Sequence, residues 1–167
     1  MPRRYAEGTS VSVSRTRAEI EDLVTRYNAS AFMAGSSAGR AMVGFEMAGR
    51  RVKFFLPLPA QGDRAFTHFK RGTVHVERVP HEAHAAWEGA CRSRWRALLL
   101  CIKAKLEAVA IGISEFDDEF MANIVLPDGM TIGERLKPQI AMAYERGEMP
   151  PLLSGPTAAG QEGKPHG

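Results

Sequence analysis

Aromatic residues make up only 8% of the 167-residue chain, and there are just two cysteines, Cys91 and Cys101. So few cysteines exclude a disulfide-stapled scaffold. If both lie on one helix they stand about 15 Å apart along its axis, well beyond disulfide reach, so free thiols in a reducing cytosol are expected. Long hydrophobic runs are absent too. The longest, Ala97-Leu98-Leu99-Leu100-Cys101-Ile102, falls far short of the roughly 20 residues that span a bilayer. No apolar segment follows Met1-Pro2-Arg3-Arg4-Tyr5, so no secretory signal is expected. Phosphate-binding glycine loops, a dinucleotide fingerprint, a Cys-x-x-Cys pair and a Gly-x-Ser-x-Gly elbow are all missing. No catalytic residue and no cofactor is therefore nominated.

What is present describes one globular domain, 44% hydrophobic and 25% charged, large enough to bury a core. The net charge of +3 conceals a division. Residues 1–105 carry 18 Lys/Arg against 9 Asp/Glu, and residues 106–167 carry 4 against 10. Such polarity fits a basic face for an anionic partner. It fits equally an acidic C-terminal part that packs over the basic part and neutralises it. Sixteen of the 22 basic residues are Arg, whose planar fork suits phosphate.

Hydrophobic periodicity predicts the elements. Residues 1–13 read as extended, then loop-like. Thr16-Arg17-Ala18-Glu19 reads as a capping box, opening a helix with Ile20, Leu23, Val24 and Tyr27 on one face and Asn28 as its C-terminal cap. Residues 30–57 predict a three-stranded antiparallel meander. Val43, Phe45 and Met47 alternate in the second strand, Ala48-Gly49-Arg50 turns, and Val52, Phe54 and Leu56 face the core from the third. Residues 60–81 read as a long surface loop with a short strand over 73–77.

The longest helix is predicted from about Glu82 to Ala110. Its apolar arc holds Trp87, Cys91, Trp95, Leu98, Leu99, Ile102, Leu106 and Val109, and its opposite arc Ala90, Ser93, Ala97, Ala104 and Ala108. Two such arcs predict packing on both sides. A short helix capped by Ser114, an apolar run 124–126, and a last helix opened by the Thr131/Glu134 capping box complete the order. That last helix presents Ile132, Leu136, Ile140 and Ala143, contains Pro138, and ends at Gly147. Strands and helices are segregated, so the expected class is α+β: N-terminal helix, three-stranded meander, long central helix, C-terminal helix. The expected domain spans 1–153, with a disordered tail over 154–167 rich in Gly, Pro and Ala.

Two clusters suggest metal chemistry and are better explained otherwise. His75, His81, His84 and Cys91 lack the spacing of a zinc module, and His84/Glu88 is an i,i+4 surface pair. Glu115, Asp117, Asp118 and Glu119 suit the positive end of a short helix. The strongest functional pattern is basic and aromatic. Arg50, Arg51, Lys53, Lys70 and Arg71 are the candidate phosphate contacts, with Phe66 and Phe69 as candidate base-stacking residues. Arg92, Arg96 and Lys103 extend this set if their flank of the long helix is exposed.

Several stretches together carry a resemblance: Arg17–Leu23, Val52–Pro59, Arg94–Leu98, Ile102–Ala108 and Ile124–Gly129. On these the chain resembles a family of small uncharacterised proteins encoded by tailed bacteriophages and prophages of GC-rich bacteria. The resemblance covers most of residues 3–153 and rests on a shared pattern, so it transfers no site residue. It implies action in the cytoplasm of a bacterial host. Two readings follow: a non-enzymatic nucleic-acid-binding accessory protein of phage DNA metabolism, with single-stranded DNA as a candidate ligand, or a protein-interaction module that blocks a host factor or assembles as a homo-oligomer through the Ala90/Ala97/Ala104 stripe.

Overall fold

The computed structural model describes residues 8–37 and 39–148, and the expected tail at 154–167 lies outside them. The class is α+β. Helix α1 (Val13–Arg26) leads into strands β1 (Ala31–Ser37), β2 (Arg40–Met47) and β3 (Arg50–Pro57). A short helix α2 (Arg64–Thr67) and strands β4 (His68–Arg71) and β5 (Val74–Glu77) precede α3 (Pro80–Ala110). Helix α4 (Phe116–Phe120), a 3-10 turn (Met121–Asn123) and α5 (Ile132–Arg146) complete the order.

Strands β1, β2 and β3 form an antiparallel sheet in that order. Alternation along each strand gives the sheet two different faces. Val43, Phe45, Met47, Val52 and Phe54 point inward and are buried with Ile20, Leu23 and Val24 of α1 and Trp95, Leu98, Ile102 and Leu106 of α3. Phe120 seals this core. Its ring meets Phe45 and Phe54 edge-on at centroid distances of 6.0 and 6.3 Å and stacks on Phe116 at 4.7 Å. The β2–β3 connection is the two-residue turn Ala48-Gly49, both at positive φ (51° and 71°), the twist that a tight hairpin requires. The free edge of β3 receives the segment after Phe120: Ile124 bridges Val52, and the Val125 amide donates to the Arg51 carbonyl at 2.8 Å.

Several expectations need correction. Helix α1 starts one turn early, at Val13, because the Ser12 hydroxyl accepts from the Arg15 amide. Thr16 is therefore interior and fully buried, and Glu19 is released from capping to pair with Arg96 and Arg15. The cap of α4 is Glu115, without a side-chain bond, and not Ser114. Within the expected loop 60–81 the strand expected over 73–77 is present as β5, but it pairs with an unexpected β4 in a hairpin that follows a helical turn. The small-residue arc of helix α3 is only partly covered, with Ala97 and Ala104 exposed and Ala90, Ser93 and Ala108 half-buried. Helix α5 buries no residue, and its expected core position Ile140 is 46% exposed. Its predicted ends hold: Thr131 and Glu134 form the capping box, and Gly147 is left-handed at φ 67°.

Candidate nucleic-acid interface

The ten residues nominated from sequence separate into distinct places. Arg51 and Lys53 lie on the outer face of the sheet together with Phe55. Arg50, of opposite parity, lies apart from them and pairs with Asp117 at 3.0 Å. Phe69, Lys70 and Arg71 lie on the β4–β5 hairpin, with Phe66 half-buried in α2 beneath it. Arg92, Arg96 and Lys103 belong to α3, on the opposite side of the sheet from its outer face. There Arg92 donates to the Thr9 carbonyl, and Arg96 is held by Glu19. A groove of about 640 Å³ between α1 and α3 is lined by Glu19, Asp22, Arg26, Arg96 and Lys103. Its charges are mixed, so it is no simple anion site.

The outer face is built by register. Met33, Gly44 and Lys53 stand side by side across the three strands, as do Gly35, Met42 and Phe55, and Ala31, Glu46 and Arg51. Gly44 leaves room for the Met33 thioether: a Cβ there would meet Met33 Cγ at 3.1 Å. A concavity of about 510 Å³ opens on this face, lined by Met33, Met42, Gly44, Arg51, Lys53 and Val125. Beside it, Lys53 Nζ lies 5.1 Å and the Arg40 guanidinium 4.7 Å from the Phe55 ring centroid. Lys53 Nζ also donates to the Gly129 carbonyl at 2.9 Å, which fixes the ammonium at the rim. No hydrogen bond or ion pair engages the Arg51 guanidinium among the described residues. Arg40 was not singled out from sequence. Its signal was strand register: it pairs with Pro57 and shares a face with Phe55.

Carboxylates temper this charge. Glu46 stands opposite Arg51 across the strands, and Glu134 acts on Lys53 and Arg40 from the start of α5. The Thr131 backbone N–H, first among its partners, holds the Glu134 carboxyl below its ordinary range. Elsewhere the acidic C-terminal part does neutralise cations of the basic part. Asp117 meets Arg50, and Glu119 accepts from Lys105 at 3.0 Å, a bond that lowers the Glu119 pKa. Among the described residues, no three His, Cys, Asp or Glu side chains gather as a metal-ligand set. His84 is engaged by Gln61, Glu88 and the Trp87 ring. Burial pushes the Cys91 thiol up, opposite to the shift a nucleophile needs.

The hairpin is organised by Arg78, a second residue the sequence reading passed over. Its Nη1 donates to the carbonyls of Ala65, Phe66 and His68 at 3.2, 2.8 and 2.8 Å. Its guanidinium also lies 5.6 Å from the Phe69 ring centroid. Phe69 is thus a partly covered structural ring, 36% exposed. No helix among the described residues is long and apolar enough to cross a membrane. Set against known protein families, curated proteins and solved structures, the chain matches none.

Proposed function

We propose that the protein binds nucleic acid through the outer face of its three-stranded sheet, as a non-enzymatic accessory protein of phage DNA metabolism in the bacterial cytoplasm. The observation that supports this reading is that Arg40 and Lys53 gather on the Phe55 ring while Arg51 and Lys53 line the adjoining open concavity with Met33 and Met42. Phosphates suit the cations. Base faces suit the Phe55 ring and the polarizable thioethers of Met33 and Met42. Both helices that cover the sheet, α1 and α3, pack on its other face, so a strand has access. The test is fluorescence anisotropy with labelled oligonucleotides. Replacing Arg51 and Lys53 together by Glu should abolish most of the affinity for single strands, and unchanged affinity would refute the reading.

A second reading, a protein-interaction module, is favoured by one observation. Most of the small-residue stripe of α3 is uncovered: Ala97 and Ala104 are exposed, Leu100 between them is 40% exposed, and Ala90 is half-buried. Ala97→Leu should then leave the fold intact and alter self-association, read by sedimentation. An unchanged assembly state would remove homo-oligomerisation through this stripe.

A further inference from the structure

We infer that the β4–β5 hairpin is an arm for double-stranded nucleic acid that enters the major groove tip first. The inference rests on the nucleic-acid reading above and adds a second contact surface with its own substrate form. The pairs Phe69/Val76 and Arg71/Val74 share one face of the ribbon, and Lys70/His75 and His68/Glu77 the other. Lys70 and Arg71 therefore project from opposite faces at the tip. A ribbon entering a groove end-on turns one face to each wall, and each wall is a phosphate backbone. One cation per face is what two walls require, and a single strand offers no second wall.

The dimensions agree. A two-stranded ribbon with its side chains is about 10 Å thick, matching a major groove about 12 Å wide and exceeding a minor groove of about 6 Å. Four-residue strands at about 3.3 Å per residue reach roughly 13 Å, enough to enter a groove about 8.5 Å deep. The turn Gly72-Thr73 adds little bulk, with Gly72 at φ 65°. Val74, 61% exposed near the tip, presents an apolar surface of the kind that contacts a thymine methyl. Neither Lys70 nor Arg71 has an ion-pair partner among the described residues, and the only carboxylate on the ribbon, Glu77, stands at its root. Arg78 fixes that root through three carbonyls, so little ordering is left to occur on binding.

The experiment titrates one short sequence, as single strand and as duplex, with the intact chain at about 50 and about 200 mM salt. The wild type, Lys70→Glu/Arg71→Glu, the milder Lys70→Gln/Arg71→Gln and Arg51→Glu/Lys53→Glu are compared, with circular dichroism to verify folding. The hairpin charge reversal should weaken duplex binding at least about tenfold and flatten the slope of log K against log salt by about two, the effect of two lost phosphate contacts. Its single-strand affinity should be unchanged. A duplex whose major groove is filled by bulky pyrimidine C5 substituents should bind the wild type as weakly as the normal duplex binds the hairpin variants. Wild-type binding to single strands with no duplex affinity overturns the arm but leaves the sheet reading standing. So does duplex affinity indifferent to both hairpin variants or to groove filling. No binding to either form overturns both.

Discussion

Thr16 shows what a single misread residue does. It has the form of a cap, yet it is fully buried, and its hydroxyl finds no partner. A buried hydroxyl without a hydrogen bond costs about 1–3 kcal/mol. Thr16→Val replaces it with a methyl of nearly the same shape and should raise the urea midpoint by roughly 1 kcal/mol in stability. Ala48 carries a different cost. It is a non-glycine residue at φ 51°, in a region that disfavours L side chains by about 1–2 kcal/mol. Asn, which tolerates that region and suits this turn, should stabilise at position 48 by about 0.5–1 kcal/mol in thermal melts. The inward alternation of Val43, Phe45, Val52 and Phe54 was legible in sequence because one side of the sheet is buried, and burial writes a period of two. Arg40 and Arg78 were not legible, since their roles come from partners up to 15 residues away: the Phe55 ring and the carbonyls of Ala65, Phe66 and His68.

At the scale of elements, legibility follows the same physics. The central helix α3, the meander and both ends of α5 have strong local signals: a long apolar arc, alternation, a reciprocal capping box, a left-handed glycine. The hairpin β4–β5 shows only in part: the strand expected over 73–77 is β5, whereas β4 is too short to show a period and the root is held by Arg78. Helix α5 packs less closely than its apolar spacing predicts. It contacts chiefly the 3-10 turn, and its apolar face is only partly covered. The closest approach there is at Gly133, where an added Cβ would stand 2.7 Å from the Ala122 carbonyl oxygen. Ala favours helix over Gly by about 1 kcal/mol, but overpacking against backbone costs about 1–3 kcal/mol. Gly133→Ala should therefore be neutral to destabilising. It should speed amide exchange in α5 and leave the α1–α3 core protected.

For the whole molecule, the two charge-biased parts of the chain meet and partly cancel. Arg50–Asp117 and Lys105–Glu119 link them, which leaves Arg51, Lys53, Lys70 and Arg71 as cations not consumed by carboxylate pairing. Three held carboxylates set the response to acid. Glu19, held by Arg96, Glu119, held by Lys105, and Glu134, held by the Thr131 backbone, all titrate below the ordinary value of 4.5 when folded. Each contributes stability that is complete above the unfolded value and is lost as pH falls through the folded one. Urea midpoints should therefore be level down to about pH 5 and decline below about 4.5. A midpoint indifferent to pH across that interval would show that these pairs carry no net stability.

Nucleic-acid binding by this molecule requires that the cations left unpaired hold phosphate. The most direct measurement is the anisotropy of a labelled single-stranded oligonucleotide titrated with the intact protein at rising salt. Binding that weakens linearly in log K against log salt, with a slope of about −2 for the three outer-face cations at about 0.7 per contact, is the predicted result. A flat titration at the lowest salt would contradict it.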